Sequence, residues 1–152
     1  MILKPEYTIE KANWRDLNQL RNLERECFGE EAWPLISLIG VLTFPNVIRL
    51  KAVSNEEMAG FISADIDGSA KVGWITSVGV LERYRGKGIG KALMLACERL
   101  ISSPAIQLTV KEGNDPAIKL YLDLGYKKVE TWPNYYASGE NGILMRKEQD
   151  LA

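Results

Sequence analysis

The sequence predicts an α/β domain in which helices cover the faces of a mixed β-sheet. Three observations point to this fold class. A glycine-rich turn at residues 85–90 separates an apolar run from an amphipathic helical run. The strand-like runs before this turn have short connections of hairpin type. The strand after the amphipathic run completes a β-α-β crossover, so the two strands of that unit are expected to be parallel.

The chain is expected to begin with a short strand and a long helix. The strand covers residues 7–11, and Asn13 can cap a helix that continues to about Phe28, where Gly29 ends it. Apolar side chains recur at helical spacing along one face of this helix. They are Leu17, Leu20, Leu23 and Cys27.

A second, short apolar helix and three antiparallel strands are expected next. Pro34 opens the helix, which ends near Thr43. The strands are Val47–Val53, Met58–Asp67 and Lys71–Val80. Their connections at residues 54–57 and 67–70 have the composition of tight turns.

After the glycine turn, the order continues as helix, strand, helix and two strands. The first helix has apolar residues at Ile89, Leu93, Ala96 and Leu100. The strand is Ile106–Val110, and the last two strands lie near Lys127–Thr131 and Ile143–Arg146. Between them Asp115 and Pro116 start a helix, with proline at its first position, and Gly125 ends it. The full order is β-α-α-β-β-β-α-β-α-β-β.

Composition narrows the classes of function. The chain of 152 residues suits a single domain over positions 1–152. Its net charge of −1 argues against a nucleic-acid partner. The absence of histidine excludes His-based triads and most zinc sites, so no metal is expected. With no signal-peptide core and no membrane-spanning run, we expect a cytoplasmic protein without a membrane partner. Cys97 falls in a helical apolar pattern and is expected to be a buried, reduced thiol.

The glycine turn has the properties of a phosphate socket. Glycines allow backbone N–H groups to approach an anion, and the start of a helix adds partial positive charge. Arg83, Arg85, Lys87 and Lys91 place four cations within nine residues. The turn therefore predicts a phosphorylated cofactor, although a basic surface turn would have the same composition.

A second motif runs from Asn114 to Tyr121. These two residues are seven positions apart, so they lie along one face of a helix with the small Ala117 between them. A ligand tail could pass beside the small residue, and the phenol could donate a proton at its end. Taken alone, Tyr121 is better explained as a packed aromatic residue.

Together, the two motifs closely resemble the GNAT superfamily of acetyl-CoA-dependent N-acetyltransferases. Residues 85–90 match its R/Q-x-x-G-x-G/A signature, and residues 114–121 match its N-x-x-A-x-x-x-Y helix. Within it, Ile75–Val80, Phe28–Pro34 and Asn134–Tyr136 resemble the protein N-terminal acetyltransferases, including those that modify ribosomal protein S18 on alanine. The acceptor is then a protein or peptide N-terminus.

The resemblance implies roles for particular residues. Acetyl-CoA would contact Val78, Gly79, Val80, Arg85, Gly86, Lys87, Gly88, Ile89, Gly90, Lys91 and Asn114. Tyr121 would protonate the departing sulfur, and a phenol of pKa about 10 giving its proton to a thiolate of about 8.5 is uphill by roughly 2 kcal/mol. Phe28, Trp33, Tyr135 and Tyr136 would line the acceptor groove.

The general base does not follow the family pattern. Thr109 stands on the fifth strand where relatives carry glutamate or histidine, and Glu30 matches a position where some relatives place a catalytic glutamate. Glu31 and Glu112 are poorer candidates, and Glu30 could also be an ordinary solvated carboxylate. At pH 7 an α-amine is about 10–15% neutral and a lysine amine about 0.04% neutral. A site without a strong base therefore favours α-amines.

Two other functions remain open at this stage. A GNAT enzyme acting on a small amine, such as a polyamine, amino acid or drug, would need a closed pocket lined with carboxylates. A sensor that binds acyl-CoA without catalysis would explain Thr109. The sequence leaves the preferred N-terminal residue, and the choice between monomer and homodimer, undetermined.

Overall fold

One mixed sheet of seven strands organises the chain in this computed structural model, which describes residues 6–66 and 71–150. The strands are β1 (Thr8–Lys11), β2 (Val47–Ser54), β3 (Glu57–Asp65), β4 (Val72–Val80), β5 (Ala105–Lys111), β6 (Lys127–Trp132) and β7 (Gly142–Glu148). The helices are α1 (Leu17–Phe28), α2 (Leu35–Thr43), α3 (Ile89–Leu100) and α4 (Asp115–Asp123). The predicted order of elements is confirmed.

The strands lie in the order β1-β2-β3-β4-β5-β7-β6. β1 to β4 form an antiparallel run, and β4 and β5 are the parallel pair that the crossover through α3 predicts. The insertion of β7 between β5 and β6 was not predicted, because it depends on pairing with β5 rather than on any local pattern. The predicted turn at residues 67–70 lies outside the described residues.

The helices agree with the sequence, with two corrections to where they start and one to a predicted apolar position. Asn13 caps a short 3-10 turn at Trp14–Asp16, and α1 begins only at Leu17. Asn114 is the cap of α4, so Pro116 is its second residue rather than its first. Leu100 is 50% exposed, because α3 turns it away from the core at its last turn. The buried positions of α3 are Ile89, Leu93, Met94, Cys97 and Glu98.

Helices cover both faces of the sheet, and two glycines allow them to approach closely. A Cβ atom at Gly79 would lie 3.1 Å from Phe28 at the end of α1. A Cβ atom at Gly60, on the opposite face, would lie 3.0 Å from Leu93 of α3. Cys97 is fully buried and unpaired, and burial raises the pKa of its thiol to about 12, as expected for a buried, reduced thiol.

Candidate active site

A cleft opens where β4 and β5 separate. The two strands pair over only three residues of each, from Val72 with Ala105 to Trp74 with Gln107. β4 also contains a bulge near Thr76, because the register with β3 shifts between Ser63 and Ala64. A bulge bends its strand and increases the local twist. The C-terminal half of β4 therefore borders the cleft with an edge that none of the described strands covers.

The peptide groups of Val78 and Val80 face this cleft. The N–H of Leu81 donates to the carbonyl of Ala59 at 2.9 Å, which marks Leu81 as a residue that bonds toward β3. Successive residues of an antiparallel strand bond to alternate sides. The backbone N–H and C=O groups of Gly79 therefore also face β3, and those of Val78 and Val80 face the cleft.

The glycine turn at residues 85–90 forms the start of α3. Gly86 and Gly88 have φ angles of +79° and +83°, a region that side chains disfavour. A Cβ atom at Gly86 would meet nothing within 4 Å, and one at Gly88 would meet only the Tyr7 hydroxyl at 4.0 Å. No side chain caps α3. Its first backbone N–H groups thus lack a partner within the helix and can bind an anion.

The four cations predicted to surround this turn are not equivalent. Arg83 pairs with Glu57 at 2.8 Å and with Glu26 at 3.6 Å, so its charge is already matched. Arg85 donates through Nε to the carbonyl of Val80 at 3.0 Å, which ties the turn to β4. Lys87 lies over the Tyr84 ring. Lys87 and Lys91 are both exposed beside the turn.

Tyr121 lies on α4 and is 6% exposed. Burial raises the pKa of its phenol, and the neighbouring Tyr136 phenol raises it further. At the start of the helix, the Asn114 side chain accepts a hydrogen bond from the Ala117 N–H at 3.3 Å. A Cβ atom at Gly90 would lie 3.5 Å from Leu120, so α4 packs beside the start of α3.

The loop between β6 and β7 brings a second phenol to the same place. The Tyr136 hydroxyl donates to Oγ1 of Thr109 on β5 at 3.5 Å. Burial raises the pKa of Tyr136, and the hydrogen bond with Thr109 opposes that rise. Tyr121, Tyr136 and Thr109 therefore form a group of hydroxyls near the cleft. Tyr135 is 51% exposed and its ring packs against Trp132, with centroids 5.2 Å apart.

The segment between α1 and α2 lies across from this loop. Phe28 packs against β4 and Trp33 packs on the core, so both predicted groove residues are on this side. Glu30 is exposed and, within the described part of the chain, its side chain makes no hydrogen bond or ion pair. Its neighbour Glu31 instead accepts hydrogen bonds from two backbone amides of the β6–β7 loop.

A buried carboxylate was missed from the sequence. Glu24 on α1 is 2% exposed and accepts from the Ser77 hydroxyl and the Trp33 N–H, both at 3.3 Å. Burial raises the pKa of Glu24, and these two donors partly offset the rise. Glu24 thus joins the strand that borders the cleft to the wall formed by Trp33. Its position on the apolar face of α1, four residues after Leu20, was the available signal.

Within residues 6–66 and 71–150, no group of three or more cysteine or acidic side chains is arranged to hold a metal ion. No described helix combines the length and apolarity needed to cross a bilayer.

Comparison with known proteins gives consistent matches. Residues 14–126 match the Acetyltransferase (GNAT) family. The chain is 32% identical to the N-alpha-acetyltransferase of Sulfurisphaera tokodaii, with 92% of each chain covered.

Solved structures resemble the fold as a whole. The ribosomal-protein-S18-alanine N-acetyltransferase from Escherichia coli superimposes with a TM-score of 0.86 at 22% identity, with 96% of each chain covered. Arabidopsis thaliana Naa50, solved in complex with the bisubstrate analogue CoA-Ac-MVNAL, gives a TM-score of 0.79 at 24% identity. That match covers 95% of this chain and 100% of Naa50.

Proposed function

The chain belongs to the GNAT acetyltransferase family, and we propose that it transfers an acetyl group from acetyl-CoA to the α-amine of a protein or peptide N-terminus. The observation that carries this proposal is the uncapped glycine turn beside the cleft between β4 and β5. The name of the S. tokodaii relative, an N-alpha-acetyltransferase, supports the choice of acceptor.

The residues around the cleft fit acetyl-CoA. Its diphosphate would bind the amides of residues 86–91 and the exposed ammonium groups of Lys87 and Lys91. Its amide-containing arm would lie along the open edge of β4, against the backbone N–H groups of Val78 and Val80, since the Val80 carbonyl already accepts from Arg85. Asn114 keeps its side-chain N–H₂ for this arm, because only its oxygen is used in capping α4. Bound acetyl-CoA supplies an acetyl group activated as a thioester.

Tyr121 is the residue we propose as the acid. Because burial raises the pKa of its phenol, it stays protonated at every pH at which the enzyme would work. The same rise makes it a weaker acid than a phenol in water. Burial also raises the pKa of a thiol, so a sulfur leaving in the same pocket holds the proton more strongly. The proton is therefore best transferred as the carbon–sulfur bond breaks.

The acceptor must arrive as a neutral amine, since the hydroxyls of Thr109 and Tyr136 are not bases at neutral pH. Deprotonation at pH 7 costs about 1.2 kcal/mol for an α-amine and about 4.6 kcal/mol for a lysine side chain. The site therefore favours an N-terminus. Glu30 is exposed to water, and we propose that it accepts the proton that the nitrogen loses after attack.

Phe28, Trp33, Tyr135 and Tyr136 are proposed to line the acceptor groove. We further propose that residues 1–152 act as one domain, in the cytoplasm, as a monomer or homodimer. The near-balanced net charge of −1 supports an enzyme with neither nucleic acid nor an anionic membrane surface as a partner.

The test is a screen of acceptors by release of free thiol from acetyl-CoA. Peptides with free N-termini should be acetylated, and mass spectrometry should place the acetyl group on the α-amine. Turnover of a polyamine, amino acid or drug with inactive peptides would instead identify a small-amine acetyltransferase. Tight acetyl-CoA binding without turnover of any acceptor would identify a sensor.

A further inference from the structure

The carboxylate of Glu31 joins the two loops that flank the proposed acceptor groove. Its Oε2 accepts from the N–H of Ala137 at 3.1 Å, and its Oε1 accepts from the N–H of Ser138 at 3.1 Å. We call this arrangement of Glu31, Ala137 and Ser138 the loop clasp. Hydrogen bonds to a charged acceptor are stronger than those between neutral groups.

A cation completes the loop clasp. Lys111 Nζ lies 3.7 Å from a Glu31 oxygen and 3.7 Å from a Glu140 oxygen. Partial burial alone would raise the pKa of Glu31, but the amides of Ser138 and Ala137 and the Lys111 ammonium bring it below its ordinary value. The carboxylate is therefore charged near neutral pH, and the clasp is closed.

The loop clasp acts on the residue next to it in the chain. Tyr136 precedes Ala137 and lies in a tight turn, where its carbonyl accepts from Gly139 N–H at 2.8 Å and its N–H donates to the Glu140 carbonyl at 3.2 Å. Lys111 Nζ also lies 5.6 Å from the centre of the Tyr136 ring. This turn is thus held at one end by Glu31 while the phenol reaches Thr109 at the other.

We propose that Glu31 is a positioning residue that holds the Tyr136 phenol against Thr109 by fixing the β6–β7 loop to the segment between α1 and α2. This role rests on the proposed function, because Tyr136 matters only if the acceptor lies beside it. Glu31 itself touches neither substrate. Its effect on catalysis should pass entirely through Tyr136.

The test is a double-mutant cycle of Glu31→Ala and Tyr136→Phe, with kcat/KM measured for an N-terminal peptide. We expect each single variant to lower kcat/KM about tenfold. The kcat/KM of the double variant should be at most about threefold below that of the less active single variant. The KM for acetyl-CoA should stay within about twofold of the unaltered value.

Glu31→Gln keeps one acceptor oxygen and should lose less activity than Glu31→Ala. Glu130→Gln, which removes an exposed carboxylate on β6, is the charge control and should change nothing.

Hydrogen exchange supplies a readout that does not need activity. The amide protons of Ala137 and Ser138 should exchange about tenfold faster or more in Glu31→Ala, and at an unchanged rate in Glu130→Gln.

Three outcomes would overturn the proposal. In the first, the loss of kcat/KM in the double variant equals the product of the two single losses. In the second, the amide protons of Ala137 and Ser138 exchange at an unchanged rate in Glu31→Ala. The third is an unaltered enzyme that acetylates no peptide. That result rejects the proposed function as well, and it is recognised before any variant is compared.

Discussion

The rings of Tyr121 and Tyr126 pack edge to face, with centroids 6.1 Å apart and planes inclined by 65°. The backbone N–H of Tyr126 also donates to the Tyr121 carbonyl at 3.0 Å. Tyr126 is in turn anchored, because its hydroxyl donates to the buried Glu98 at 2.6 Å and Lys147 pairs with the same carboxylate at 2.9 Å. The proposed acid therefore rests on a residue that the hydrophobic core and a buried carboxylate hold in place.

Removal of the Tyr126 hydroxyl should destabilise the protein. In Tyr126→Phe a buried charged acceptor loses one of its two donors, so the free energy of unfolding should fall by about 1–3 kcal/mol in urea titrations. Tyr135→Phe is the control, since Tyr135 is 51% exposed and its change should be within about 0.5 kcal/mol. Equal stability of both variants would show that the Tyr126–Glu98 hydrogen bond contributes no net stability.

Removal of the Tyr121 hydroxyl should affect chemistry and not cofactor binding. We expect Tyr121→Phe to lower kcat by roughly 10- to 1000-fold and to leave the Kd for acetyl-CoA within about twofold. Thiol-release assays measure kcat, and calorimetry measures the Kd for acetyl-CoA. A raised phenol pKa also means that Tyr121 stays protonated beyond pH 10, so no fall in kcat from its ionisation should appear below that pH. Unchanged turnover would remove Tyr121 as the acid.

The pH dependence of kcat/KM should follow the acceptor and not the enzyme. Log kcat/KM should rise by about one per pH unit up to the pKa of the α-amine, near 7.8, because only the neutral amine attacks. A peptide whose N-terminal residue lowers the amine pKa should shift the curve by the same amount. Glu30→Gln should lower kcat by less than about tenfold and leave this limb in place. If the rising part of the pH profile stays at the same pH when the peptide is changed, the titrating group is a base on the enzyme and not the acceptor amine.

A charge in the glycine turn should abolish cofactor binding. Gly88→Glu places a carboxylate where the diphosphate is proposed to bind, and calorimetry should detect no association with acetyl-CoA. Gly88→Ala is the matched control, because it carries the same strain at a φ of +83° without the charge. Its Cβ would meet only Tyr7 at 4.0 Å, so binding should weaken but persist. Equal affinity of Gly88→Glu and the unaltered protein would place the diphosphate elsewhere.

Features with a local cause were predicted from the sequence. The glycine turn is an example, since the need for positive φ at Gly86 and Gly88 is a property of those residues and their neighbours. The order of elements was predicted in the same way, because hydrophobic spacing and cap residues act over a few positions along the chain.

Features that depend on distant partners were not predicted. Glu30 and Glu31 are adjacent and chemically identical, yet only Glu31 reaches the loop amides more than one hundred residues later. No local pattern separates these two carboxylates.

The sequence by itself determined the fold class and the position of the glycine turn, because glycine conformations and helix periodicity are local. The choice of Tyr121 as a candidate acid came from the resemblance to the GNAT superfamily. Only the tertiary structure decided which charges are free. Arg83 is paired with Glu57, Glu24 is buried between Ser77 and Trp33, and Lys87 and Lys91 are exposed beside the turn. The physical reason is that desolvation and ion pairing depend on which surfaces meet in space.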